Sequence, residues 1–177
     1  MGITNIFRNQ LSAVIQWNAD KQHLLWYKYP SKTDEIKNAS KLIVAPGQGA
    51  VLDYEGKVAD VLTDEGTFNL KTDNHPFFTT LVNLRQNFES EHKLQIFFFR
   101  KAQVTNQHWG TASPVKFIDP QYKLPVEMGA NGTFSYQISN IEHFFINIVG
   151  AKAEVSNDEI RELLLGRLSQ NIISSIH

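Results

Sequence analysis

Apolar residues along this chain fall into blocks whose spacing switches from helical to extended and back. At the start, Ile3, Ile6, Phe7, Leu11, Val14 and Ile15 recur at helical spacing, with Thr4, Asn5, Arg8, Asn9 and Ser12 between them. This pattern predicts an amphipathic N-terminal helix. Leu24, Leu25, Trp26, Tyr27 and Tyr29 then form an aromatic stretch closed by Pro30, which reads as a strand, and 31–40 reads as a polar connection. From Lys41 to Thr72 the pairs Pro46-Gly47, Glu55-Gly56 and Glu65-Gly66 punctuate segments rich in Val, Leu and Phe. Turn signals at that regular spacing predict an antiparallel meander. Gly47 suits the positive φ of a type II turn after Pro46, and Gly56 and Gly66 suit tight hairpins.

The segment 73–93 stays open, because Pro76, Phe77, Phe78, Leu81, Val82 and Leu84 fit either a short helix or an irregular strand. Leu94, Ile96, Phe97, Phe98 and Phe99 are apolar at both parities, as in a central strand covered on each face. Phe134, Tyr136 and Ile138 alternate with Ser135, Gln137 and Ser139, the period of a strand with one buried face. Two helices follow, each opening with a capping-box pattern, Ser139 with Glu142 and Ser156 with Glu159. The first carries Ile141, Phe144, Phe145, Ile148 and Val149 and stops at Gly150, which permits a left-handed cap. The second carries Ile160, Leu164, Leu168, Ile172 and Ile176 at four-residue spacing, widened by Leu163 and Ile173. It reaches His177 without a stop signal, which predicts that the natural chain continues.

Composition narrows the chemistry. The 177 residues are 42% hydrophobic, enough for a core without a metal or disulfide. Seventeen basic residues oppose eighteen acidic ones, so no global field draws in nucleic acid. The absence of cysteine excludes disulfides, thiol catalysis and cysteine-ligated zinc. The run around Phe97 is far shorter than the ~20 residues of a spanning helix. No basic region leads into an apolar stretch at the N-terminus, and Ile6 stands where a myristoylation signal needs Ser or Thr. The expected location is the cytoplasm.

The six histidines, at 23, 75, 92, 108, 143 and 177, include no i, i+4 pair for a shared metal. His108, beside Trp109 and Gly110, is the most site-like and reads as a solvated or hydrogen-bonded turn residue. Gly47-Gln48-Gly49 leads into a strand at Ala50 and Val51, whereas a phosphate loop needs a helix there. Asp53, Glu55, Asp60, Asp64 and Glu65 fall in or beside predicted hairpin turns, where acids are solvated, and lack the spacing of a calcium loop. Ser113 lies in Thr111-Ala112-Ser113-Pro114, not in a nucleophile elbow. The sequence presents no catalytic residue, cofactor site or metal site, and the chain reads as a non-enzyme.

The run from Lys41 to Val51, with Glu55-Gly56-Lys57-Val58 and the stretch Glu65-Gly66-Thr67-Phe68-Asn69-Leu70-Lys71-Thr72, resembles the opening of SPFH (band 7, prohibitin-homology) domains. Asn38-Ala39-Ser40-Lys41-Leu42, Trp109-Gly110-Thr111, Asp119-Pro120 and Gly132-Thr133-Phe134-Ser135 are most similar to the bacterial YdjI-like branch, also described as virion-core-protein-like. The resemblance implies an α+β fold, a twisted and mostly antiparallel sheet flanked by helices. It implies a role in organising membranes and oligomers rather than in catalysis. Asn131 stands where the branch often carries a bulky residue, which signals a tight turn or bulge. Related chains tend to continue into further helix and a cysteine-rich zinc ribbon, and this sequence has no cysteine.

Three regions are expected: 1–35 with the amphipathic helix and first strand, an SPFH-like core over 36–155, and the last helix over 156–177. The expected function is a non-catalytic, membrane-associated oligomeric scaffold peripheral on the inner face of the cell membrane. Candidate membrane contacts are Ile3, Ile6, Phe7, Leu11, Val14 and Ile15, on a helix that either meets lipid or covers its own domain. Candidate self-association residues are Ile160, Leu164, Leu168 and Ile172, on a helix that either pairs with copies or packs on its domain. The partners expected are copies of the chain and a lipid surface, with no nucleic acid. The alternatives are a soluble protein-binding adaptor that uses an exposed sheet edge and, third, a cryptic enzyme.

Overall fold

The computed structural model describes residues 14–18, 21, 23–30, 39, 41–86, 94–111 and 113–176. In chain order the strands are β1 (Val14–Gln16), β2 (Leu24–Lys28), β3 (Lys41–Val44), β4 (Gln48–Tyr54), β5 (Lys57–Leu62) and β6 (Gly66–Asn69), then helix α1 (Pro76–Gln86) and β7 (Leu94–Arg100). After these come β8 (Val104–Gly110), β9 (Val115–Ile118), β10 (Pro125–Met128) and β11 (Asn131–Tyr136). Helix α2 (Ile141–Phe144) runs on as a π-helical turn over Phe145–Val149, and β12 (Glu154–Ser156) leads into α3 (Asn157–Ile176). The fold is α+β with mostly antiparallel pairing. It divides into two compact units, Met1–Ala102 with Asn140–Val155 and Gln103–Ser139 with Ser156–His177.

The first unit holds a five-stranded sheet in the order β12-β2-β7-β4-β5 and a three-stranded sheet in the order β1-β3-β6. β7 is central, as its doubly apolar sequence requires. Ile96 and Phe98 join Leu42, Val44, Ala50, Leu52, Phe77 and Leu81 in the core. Phe97 and Phe99 turn the other way and pack against Trp26, with Phe145 also on Trp26 and Phe97. Gly49, opposite Phe99, must lack a side chain, because a Cβ would stand 2.3 Å from the Phe99 ring and 2.9 Å from the Leu62 carbonyl oxygen.

The expected meander over 41–72 is corrected by the pairing. β4 pairs with β5, but β3 pairs with β6 in the other sheet, so the chain changes sheets at Pro46-Gly47 and again before Gly66. A single meander would leave one face of β4 in water, and both of its faces are apolar. Folding β3 and β6 over one face closes the core instead. The turn at Gly47 is as expected, with φ of 76° and a bond from Gln48 N to the Ala45 carbonyl at 3.0 Å. Glu55 and Gly56 both take positive φ in a two-residue turn between Tyr54 and Lys57, the geometry that matches strand twist. Gly66 serves no hairpin and opens β6 opposite Val44.

The open segment contains helix α1. Pro76 occupies its first position, and Phe77, Phe78 and Leu81 are buried along one side. At the N-terminus, Ile3, Ile6, Phe7 and Leu11 lie outside the described residues. Val14 and Ile15, expected in the amphipathic helix, belong instead to β1, parallel to β3 through Ile15↔Leu42. Val14, Ile15, Gln16 and Trp17 alternate out and in, and burying Ile15 and Trp17 in the core favours the extended form for these β-branched residues.

Helix α2 is capped by Asn140, whose Oδ1 accepts from His143 N at 2.8 Å, and not by Ser139 as expected. The π turn ends where Gly150 N donates to the Phe145 carbonyl at 2.8 Å, with Gly150 at φ of 53°. The wider turn buries Phe145 and Val149 but leaves Ile141, Phe144 and Ile148 half-buried.

In the second unit β8 pairs with β11 and β9 with β10. β11 is half-exposed in alternation, as expected, but it runs unbroken through Asn131 and Gly132, and its irregularity falls between Phe134 and Tyr136. The turn or bulge expected at Asn131 is therefore absent, because Asn131 and Gly132 pair in register with Gly110 and Trp109. Ser156 caps α3, its Oγ accepting from Glu159 N at 3.1 Å. Tyr136 OH donates to the Asn157 carbonyl, and Arg161 Nη2 donates to the His108 carbonyl.

Candidate functional site

Two features stand apart from the folded core. The first is the β9–β10 hairpin of the second unit. Its register, Ile118↔Pro125 to Val115↔Met128, is fixed at the tip by Asp119, whose Oδ1 accepts from Gln121 N at 2.8 Å and Tyr122 N at 2.7 Å. Asp119 N also donates to the Leu124 carbonyl, and Lys123 adopts a φ of 55° to close the loop. This ordered tip holds Ile118, Tyr122 and Leu124 out, 68%, 70% and 62% exposed, with Val126 and Met128 less so. Behind the tip, Lys116 and Glu127 form an ion pair of 2.8 Å. Lys116 and Lys123 balance Asp119 and Glu127, so the hairpin carries apolar surface and no net charge. Large apolar side chains held out in water on an ordered element are a feature of interaction sites.

Sequence reasoning did not single out this hairpin, whose apolar residues are interleaved with charges. Of the residues it did select, Val14 is 37% exposed on β1, whereas Ile15 is fully buried and cannot meet a bilayer from there. Ile160 is likewise buried, Leu164 and Leu168 are half-buried, and Ile172 lies on α3. Leu163, on the same helix, is exposed.

The motifs that carry the family resemblance prove to be cross-strand partners. Trp109 lies over Gly132, where a Cβ would stand 2.8 Å from the indole nitrogen. Thr111 and Ala130 bond each other closely: Thr111 N and Oγ1 both donate to the Ala130 carbonyl, and Ala130 N donates to Thr111 Oγ1. Asp119 builds the hairpin tip. His108 is exposed, and Ser113 sits in an exposed bend. Among the described residues no three His, Asp or Glu side chains cluster as metal ligands, and no helix is long and apolar enough to cross a membrane.

The second feature is a cleft of about 500 Å³ in the first unit, lined by Lys28, Asp53, Gln95, Phe97, Phe145 and Ile146 among others. Of the five acids expected in solvated turns, Glu55, Asp64 and Glu65 are exposed. Asp60 is half-buried and accepts from Val61 N and the Thr80 hydroxyl. Asp53 departs from that expectation, being 2% exposed with Oδ1 lacking a hydrogen-bond partner. The pairing with β5 shifts register between Leu52 and Asp53, so the side chain emerges at a bulge. Burial pushes its carboxyl pKa up, opposed by the Gly56 N–H and the Lys28 charge. The signal was present in the sequence: two-residue alternation places Asp53 on the same face as Val51, which is buried.

Comparison with known proteins places the chain. The profile of the SPFH domain–Band 7 family matches residues 26–177. The "Uncharacterized protein YdjI" of Bacillus subtilis (strain 168) is 29% identical over 174 residues, covering 97% of this chain and 52% of the relative. The chain thus spans about half the length of that relative. No solved structure matches. With the match extending from the first strand of the large sheet through α3, the chain belongs to the SPFH domain–Band 7 family.

Proposed function

We propose that this chain is a non-catalytic scaffold that attaches peripherally to a membrane through the β9–β10 hairpin and acts as an oligomer. The observation that carries the reading is the ordered tip presenting Ile118, Tyr122 and Leu124 to solvent, in a family associated with membranes. Moving a Leu or Ile side chain out of water is worth ~1.5–3 kcal/mol, and a Tyr suits the boundary between lipid and water. With no net charge on the hairpin, insertion is driven by apolar burial and not by headgroup attraction. One hairpin of this size holds weakly, so stable attachment draws on several copies, and linked sites raise avidity by about 10²–10⁴. The half-buried Leu164 and Leu168 with exposed Leu163 on α3 supply an apolar stripe for assembly. The cytoplasmic face of the membrane is the proposed side.

Flotation with vesicles tests this. The chain is expected to rise with phosphatidylcholine vesicles, to stay with them at high salt, and to remain behind when Ile118→Asp and Leu124→Asp are combined. A wild-type chain that stays in the soluble fraction supports the adaptor reading, in which the same hairpin meets a protein. Light scattering after deletion of residues beyond Val155 tests assembly, and an unchanged oligomer ends the role of α3.

A further inference from the structure

The cleft around Asp53 lies wholly within the first unit, apart from the hairpin, and does not depend on the membrane reading. A carboxylate that is 2% exposed with an orphan oxygen is an expensive group to keep inside a sheet. Its register partner across β4 and β7 is Gln95, whose side chain also lines the cleft. The ammonium of Lys28 lies 5.9 Å from the centre of the Phe97 ring, and among the described residues no carboxylate comes within ion-pair distance of it. Phe97, Phe145 and the largely exposed Ile146 give the cleft an apolar side, and its volume is that of a small-molecule site.

These groups set the charge a ligand must carry. A plain anion attracted to Lys28 and Lys152, which also lines the cleft, meets the carboxylate of Asp53, and a plain amine seated on Asp53 meets the two ammonium groups. A molecule carrying both charges satisfies both, and its cationic end also gains from the aromatic rings. We propose that the cleft binds a small molecule bearing a primary ammonium beside an acidic group, the ammonium meeting the Asp53 carboxylate and the acidic group meeting Lys28 and Lys152. Free amino acids, soluble O-phosphoethanolamine and a phosphatidylethanolamine headgroup share this chemistry.

The test is titration of the ¹⁵N-labelled chain with O-phosphoethanolamine and with the common amino acids, using ethanolamine alone and inorganic phosphate alone as single-ended controls. At least one two-charge probe is expected to shift the amides of Gln95, Phe97 and Ile146. Asp53→Asn and Lys28→Gln should each weaken it by about tenfold or more, while Leu124→Asp leaves it unchanged. If Asp53→Asn fails to fold, Lys28→Gln and the wild-type shifts decide. Flotation of the chain carrying both Ile118→Asp and Leu124→Asp on phosphatidylethanolamine but not phosphatidylcholine vesicles assigns the headgroup as the source, and binding of soluble probes alone assigns a free metabolite. Absence of any shift, equal shifts from a single-ended control, or binding indifferent to both cleft variants overturns the proposal.

Discussion

The two units bury their apolar residues very differently. In the first, β4 and β7 are covered on both faces, and Ile96, Phe98, Ala50 and Leu52 have essentially no exposure. In the second, every residue of β10 is exposed, and β8 and β11 are covered on one face at most. The hydrophobic effect has been used up within the first unit and left unspent in the second. Apolar side chains left in water are therefore a feature of the second unit more than of the sheets of the first.

Substitutions that break this contrast should differ in size. Phe98→Ala, deep in the first core, is expected to destabilise by ~3–5 kcal/mol in denaturant unfolding. Gly49→Ala forces a methyl against the Phe99 ring and the Leu62 carbonyl, and the displaced strand should cost ~1–3 kcal/mol. Asp53→Asn is expected to act through pH. Because burial raises the folded carboxyl pKa, the wild-type chain is most favoured while Asp53 is protonated. Its stability therefore falls as pH rises from the ordinary aspartate value through the raised one. Asp53→Asn should abolish that component, so its advantage over wild type grows across this window and then levels off in pH-dependent unfolding. Leu124→Asp, by contrast, should change stability by no more than about 0.5 kcal/mol, the range of an ordinary surface position. A large loss of stability there would show that the hairpin tip supports the fold.

What the sequence disclosed was what local chemistry decides. The aromatic run of β7, the turn at Pro46-Gly47, the primed hairpin at Glu55-Gly56 and the Ser156 cap each follow from residues a few positions apart. What it hid depends on distant partners. Nothing within Lys41–Thr72 states that β3 will pair with β6, because that choice is made by the need to cover β4. Val14 and Ile15 fit a helix until β3 is beside them. Asp53 looked like a turn acid because Glu55-Gly56 follows it, although its parity matched the buried Val51. In the hairpin, Lys116, Asp119, Lys123 and Glu127 dilute the apolar residues in sequence, and only the fold shows that Ile118, Tyr122 and Leu124 are held out in water.

The absence of cysteine makes the central claim directly measurable, since Tyr122→Cys creates a single labelling site at the hairpin tip. An environment-sensitive dye placed there should shift to blue emission when phosphatidylcholine vesicles are added, at low and high salt alike, while the same dye at Thr67→Cys on exposed β6 stays unchanged. An unaltered spectrum at 122 in the presence of vesicles, or a shift that salt removes, contradicts attachment by apolar insertion of this hairpin.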